Sequence, residues 1–158
     1  PAPTHGFDRV FGMDMLGELL PETDLLICCL PHTPETIGLL SASRIALVKR
    51  GALLVNVGRG SLIDESALIS ALKNGRLSGA VLDVFALEPL PESSPLWDME
   101  NVLITPHISG PSFGHFPEVE RRIAGICADN ISRYLSGNPL VNVIDRSGGY
   151  ADRENFNG

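Results

Sequence analysis

No apolar run among these 158 residues approaches the about 20 residues that a membrane-spanning helix requires. Cysteine is scarce, at three residues, two of them adjacent. That count excludes a disulfide framework and fits the reduced thiols of a cytoplasmic protein. Cys28 and Cys29, neighbours in an expected strand, point to opposite faces, so they read as buried, unreactive thiols rather than a metal pair. Positive charge is also in deficit: 12 Lys and Arg face 19 Asp and Glu, a net charge of −7 with a pI near 5.0. That balance excludes a nucleic-acid surface and an anionic membrane as partners. Repeats and low-complexity stretches are absent.

What is present is an ordinary globular composition, 44% apolar and 20% charged, with length enough for one sizeable core. Four short apolar runs, "LLICCL" (25–30), "ALLVNV" (52–57), "GAVLDVF" (79–85) and "NVLIT" (101–105), lack clean alternation. Such runs suit a parallel sheet covered on both faces. Between them lie helical patterns. "SASRIALVK" (41–49) has a Ser cap and stops at Gly51, and "DESALISALKNG" (64–75) has Asp64 as cap and Gly75 as terminator. A weaker helix, "MDMLGELLPE", precedes the first strand, and residues 116–137 form a long amphipathic helix. The order α-β-α-β-α-β-β-α predicts an α/β fold with a doubly wound parallel sheet. Residues 1–138 are assigned to it, and 139–158 form a tail that leaves it.

In an open α/β sheet, ligands bind outside the carboxyl ends of the strands. Here the first strand ends in "LPHTPET", the second in "GRG", the third in "DVFALEP" and the fourth in "TPHISG". One edge therefore gathers Thr36, Arg59, Asp83, Glu88 and His107. Glycines on both sides of Arg59 permit unusual φ/ψ and close approach. Each residue alone has a structural reading: a surface ion pair for Arg59, a turn cap for Asp83, a solvated loop for Glu88, a satisfied loop imidazole for His107. Cation, carboxylate and imidazole at successive strand ends together read as an active site.

The segments "LLVNVGRGSLIDESAL", "GAVLDVFALEPLP" and "SPLWDMENVLITPHISG" closely resemble the D-isomer-specific 2-hydroxyacid dehydrogenases, most of all the glyoxylate/hydroxypyruvate reductase branch. The resemblance runs from about Asp24 to Tyr150 and implies a Rossmann-like fold, reduction of a small 2-oxo acid to the D-2-hydroxy acid, and NADP or NAD as cofactor. It implies that Arg59 binds the substrate carboxylate and polarises the adjoining carbonyl, a task for a planar fork rather than a point charge. It makes His107 the general acid on the carbonyl oxygen and Glu88 the partner that orients it. The family's formate dehydrogenases carry Gln in place of Glu88, so the resemblance points away from formate oxidation. It further implies that Leu30, Pro31, Thr36, Val57, Gly58, Asp83, Ser109 and Gly110, with Arg59 and His107, touch the cofactor. His32 occupies a variable position and is read as incidental. His5 and His115 are read as surface groups, and no metal site is expected. The family also implies a homodimer, with helix 116–137 and the loop near Trp97 as apolar candidates.

The G-x-G-x-x-G fingerprint is not in this sequence; neither "GFDRVFG" nor "GRGSLID" has its spacing. The chain also opens on "PAPTHG", as if something precedes it. The sheet is accordingly expected to lack its first two strands and the glycine-rich turn. With the order 3-2-1-4-5-6, those strands lie between the third and fourth. "LLICCL" and "ALLVNV" are then expected to flank a gap, and the isolated chain to misassociate through strand edges or rearrange. Such a chain is expected to be part of a longer polypeptide or to have been cut from one. The reading from another class is a catalytically inactive module of dehydrogenase fold, acting in dimerisation or binding.

Overall fold

The computed structural model describes residues 6–110, 116–145 and 150–151, in two compact units divided after His107. The first unit is built on four parallel strands, β1 (Leu25–Cys28), β2 (Ala52–Asn56), β3 (Leu77–Leu82) and β4 (Val102–Ile104), in the order β1-β2-β3-β4. Before them, α1 (Leu16–Leu19) sits between two 3₁₀ turns. Helix α2 (Ala42–Leu47) links β1 to β2, and α3 (Glu65–Lys73) links β2 to β3. The Asp64 carboxylate caps α3 by accepting the Ala67 N–H at 3.1 Å. Between β3 and β4 the connection holds a 3₁₀ turn, Pro95–Asp98.

The expected gap does not exist. Leu25 pairs with Leu53 and Cys28 with Asn56, so β1 and β2 are direct neighbours. The four strands are laid down outward in sequence order, as on one side of a switch point. "LLICCL" therefore does not sit across absent strands from "ALLVNV", and misassociation through such a gap loses its physical reason.

Helices α2 and α3 cover one sheet face. Ile45, Val48, Leu68, Ala71 and Leu72 pack there with Ala52, Leu54, Leu77, Ala80 and Leu82. The expectation of a sheet buried on both faces holds for that face alone: on the other, Leu25 is 50%, Ile27 57% and Leu103 59% exposed. The same alternation separates the two cysteines. Cys28 is buried, and desolvation pushes its thiol up to about 12, whereas Cys29 is exposed, which corrects its expected burial.

The second unit contains α4 (Pro117–Leu135) and an antiparallel pair, β5 (Ile144–Asp145) with β6 (Tyr150–Ala151). Proline at the first helical position and Gly137 at φ 70° bound the helix. Glu118 pairs with Arg121 and Arg122, and Asp129 with Arg133. The Asn130 amide is held by both backbone groups of Val141, at 2.9 and 3.1 Å. No helix among the described residues is long and apolar enough to cross a membrane.

Candidate active site at the carboxyl ends of the strands

Parallel strands place all four carboxyl ends on one edge, and the segments read as chemical from the sequence begin there. Asn56 closes β2 at 1% exposure and shapes the next turn. Its side chain accepts the Gly58 N–H at 3.1 Å and donates to the Arg59 carbonyl at 3.1 Å. The sequence reading gave Asn56 no part. A polar residue ending an apolar strand, two before a glycine, was the available signal.

Neither glycine beside Arg59 adopts a positive φ, so unusual φ/ψ is not their reason. Both are needed for close approach. A Cβ on Gly58 would lie 2.5 Å from the Leu30 carbonyl oxygen, and one on Gly60 1.9 Å from the Phe85 carbonyl carbon. The turn is wedged between the loops that follow β1 and β3, which fixes the origin of the Arg59 side chain. That side chain is exposed, and its Nη1 donates to the Gly58 carbonyl at 2.7 Å.

Glu88 and His107 are 19 residues apart and meet at 2.7 Å, Oε2 to Nδ1. The other carboxylate oxygen of Glu88 accepts the Phe85 N–H at 2.9 Å. Two fixed partners leave the carboxylate one orientation, and through it the imidazole has one too. His107 adopts φ 56°, a left-handed conformation costing a non-glycine residue on the order of 1 kcal/mol. The Glu88 carboxyl is held below its ordinary value of 4.5, first by the His107 hydrogen bond, then by the Phe85 N–H; burial opposes them, and the charges on His107 and Arg59 make the smallest contributions, in the lowering direction. With the folded value depressed, stability from these bonds is present above the unfolded value and is lost as pH falls through the folded one. Carboxyl carbon NMR is expected to place the Glu88 titration below that of an exposed glutamate. His107→Ala is expected to move it back up, and a midpoint unmoved by that change would contradict the stated cause.

Asp83, 1% exposed, accepts the Thr105 hydroxyl at 2.5 Å, while its N–H bonds the Asn56 carbonyl at 3.0 Å. Thr105 opens the T-P-H segment, and its partnership with Asp83 has no signal in the sequence. The Thr36 hydroxyl is turned into its own loop, donating to the Pro31 carbonyl at 2.5 Å and accepting the Thr33 N–H at 2.9 Å. Thr36 thus shapes the segment that carries Leu30 and Pro31, both half-buried. Val57, half-buried, donates its N–H to the Cys28 carbonyl at 2.9 Å. Ser109 and Gly110 are exposed residues of the second unit. His5 and His115 lie outside the described residues.

Two cavities meet at the Glu88–His107 pair. A polar one of about 330 Å³ includes Arg59, Glu88, His107, His32 and Ser61 in its wall. An apolar one of about 620 Å³ includes Phe85, Leu90, Trp97 and Ile104, with Asp83 and Thr105 in its wall. His32, read as incidental, therefore shares a cavity with Arg59. Among the described residues, no cluster of three or more His, Cys, Asp or Glu could hold a metal.

This arrangement has close parallels. Residues 3–109 match the family described as D-isomer specific 2-hydroxyacid dehydrogenase, NAD binding domain. A glyoxylate/hydroxypyruvate reductase A of Escherichia fergusonii is 38% identical over 92% of this chain and 45% of its own length. The crystal structure of a D-isomer specific 2-hydroxyacid dehydrogenase from Xanthobacter autotrophicus, in complex with NADPH and MES, superposes with a TM-score of 0.81 at 42% identity, covering 92% of this chain and 57% of that one. An NADPH-dependent glyoxylate/hydroxypyruvate reductase from Sinorhizobium meliloti, in complex with NADP and sulfate, gives 0.76 at 36% identity over 89% of this chain and 44% of that one. The chain spans less than half the length of the curated relatives it matches. With four parallel strands carrying this edge and a family match over two thirds of its residues, the chain belongs to the D-isomer specific 2-hydroxyacid dehydrogenases and contains sequence of their NAD-binding domain.

Proposed function

We propose that the full gene product carrying this chain reduces a small 2-oxo acid, such as glyoxylate or hydroxypyruvate, to the D-2-hydroxy acid with NADPH or NADH. The observation that carries this reading is one cavity wall holding an exposed guanidinium, Arg59, and an imidazole, His107, locked on Glu88 at 2.7 Å. The names of the relatives support the same reaction class.

The donor set at this edge suits a nicotinamide dinucleotide. Asp83 places a buried carboxylate in a cavity wall, an acceptor suited to a carboxamide N–H. In this reading Leu30, Pro31, Thr36, Val57, Gly58, Arg59, Asp83, His107, Ser109 and Gly110 contact the cofactor, which supplies the hydride when bound.

Arg59 takes the substrate carboxylate in a charge-assisted fork and draws charge from the neighbouring carbonyl. His107, with Nδ1 on Glu88, donates its Nε2 proton to the carbonyl oxygen as negative charge develops there. In the oxidative direction the same nitrogen, bare, takes the proton from the hydroxyl. Glu88 keeps the ring aimed and offsets its positive charge.

Residues 1–138 are proposed to be part of the dinucleotide-binding domain, and 139–158 a tail returning towards the substrate domain of the same polypeptide. The sequence lacks the G-x-G-x-x-G turn, so activity is assigned to the full gene product rather than to this chain alone. A cytoplasmic homodimer fits three free cysteines and the exposed apolar residues Ile123, Ile126, Ile131 and Tyr134 of α4.

The test is turnover of glyoxylate and hydroxypyruvate by the full gene product, followed by loss of reduced cofactor. His107→Asn is expected to lower kcat by about 100- to 10,000-fold, the usual contribution of a positioned acid. Full reduction rate in that variant at neutral pH would overturn the assignment.

A further inference from the structure

We propose that His32, seated on Ser61, is the residue of this site that recognises a hydroxyl on C3 of the substrate, favouring 3-hydroxy-2-oxo acids over glyoxylate. The inference deepens the proposed reduction and rests on it.

His32 Nδ1 lies 2.6 Å from Ser61 Oγ. When the Ser61 hydroxyl donates, the ring proton is on Nε2, leaving an N–H donor for a ligand. The platform beneath this pair is tied down on both sides. The Thr36 hydroxyl closes the loop carrying His32 onto the Pro31 carbonyl at 2.5 Å, and the Gly38 N–H bonds the Ser61 carbonyl at 2.9 Å. A bridge between Leu40 and Ile63 joins the same two segments. His32 itself is exposed, so a solute can reach it.

The remaining wall of the 330 Å³ cavity is already committed. Arg59 serves the carboxylate and His107 the carbonyl oxygen, while Glu88 is engaged by His107 and the Phe85 N–H. Gly60, Phe85 and Ala86 have no polar side-chain atom. A third polar group on a 2-oxo acid bound to Arg59 and His107 therefore meets one side-chain pair in this wall, His32 with Ser61. Glyoxylate has no such group; hydroxypyruvate has its C3 hydroxyl. The hydroxyl oxygen accepts from Nε2–H, and no bond is made or broken.

The experiment is the ratio of kcat/KM for hydroxypyruvate to kcat/KM for glyoxylate in the full gene product with NADPH. His32→Leu is expected to lower that ratio about fivefold to tenfold, the net worth of one hydrogen bond at a solvent-accessible group. His32→Gln, which keeps an N–H donor, is expected to hold the ratio within about threefold of the original protein. A general loss of folded protein lowers both rates and leaves their ratio unchanged. A His32→Leu ratio within about twofold of the original, with glyoxylate still reduced, overturns this inference alone. No reduction of either acid by the unaltered protein overturns it together with the proposed function.

Discussion

Arg59→Ala in the full gene product is expected to lower kcat/KM for glyoxylate by about a thousandfold or more. Two losses combine in one side chain. The substrate carboxylate loses a charge-assisted fork, and truncating one partner of such a pair costs roughly 2–5 kcal/mol. The developing charge on the carbonyl oxygen loses a donor, worth on the order of 3 kcal/mol in comparable sites. The two overlap and do not add in full. Arg59→Lys is expected to recover part of the charge effect and little of the fork, since an ammonium cannot match a carboxylate in two places. Folding stability is expected to move little, because the guanidinium is exposed and its one bond within the described residues is to the carbonyl of its neighbour, Gly58. Steady-state kinetics with a thermal melt check both halves. An Arg59→Ala enzyme that retains its kcat/KM removes the substrate clamp from the mechanism.

Gly60→Ala is expected to act through the fold. The new Cβ would lie 1.9 Å from the Phe85 carbonyl carbon, 2.0 Å from its oxygen and 2.4 Å from the Ala86 nitrogen. These are backbone atoms, so no rotamer change relieves the contact, and the loops after β2 and β3 must separate. Overpacking usually costs about 1–3 kcal/mol, and a backbone clash belongs at or beyond the upper end. At about 2–4 °C per kcal/mol for a domain of 150–250 residues, Tm is expected to fall by roughly 6 °C or more. The same separation shifts the Phe85 N–H that holds Glu88, so activity falls too. Gly17, where nothing lies within 4 Å of an added Cβ, is the control, and Gly17→Ala is expected to leave Tm nearly unchanged. Equal melting of the two variants would show that the wedge is not tight.

The elements were legible because each is locally encoded. The apolar runs at 25–30, 52–57 and 101–105 contain β1, β2 and β4, the run at 79–85 overlaps β3 only from Gly79 to Leu82, and Asp64 caps α3 as its side chain and position indicate. Strand order was not legible. Which strands are neighbours is a property of the whole sheet, and counting from a complete Rossmann order put a gap where β1 and β2 pair directly. The exposure of Cys29 has a related reason: a continuous apolar run is compatible with a sheet covered on one face as well as on both.

At the site, residue types and their places at strand ends come from the sequence alone. It put Arg59, Asp83, Glu88 and His107 after successive strands, because parallel strands carry their carboxyl ends to one edge. Only the tertiary structure decided what those residues touch. It turned the Thr36 hydroxyl into its own loop, set Asn56 under the Arg59 turn, and placed His32 on Ser61 beside the same cavity. It also gave the glycines around Arg59 another reason: not the conformation of their own backbone, but the two neighbouring loops packed where a Cβ would stand. Local propensities depend on residues close in sequence. These contacts join segments from different strand ends, whose spacing is set by the sheet and its packing.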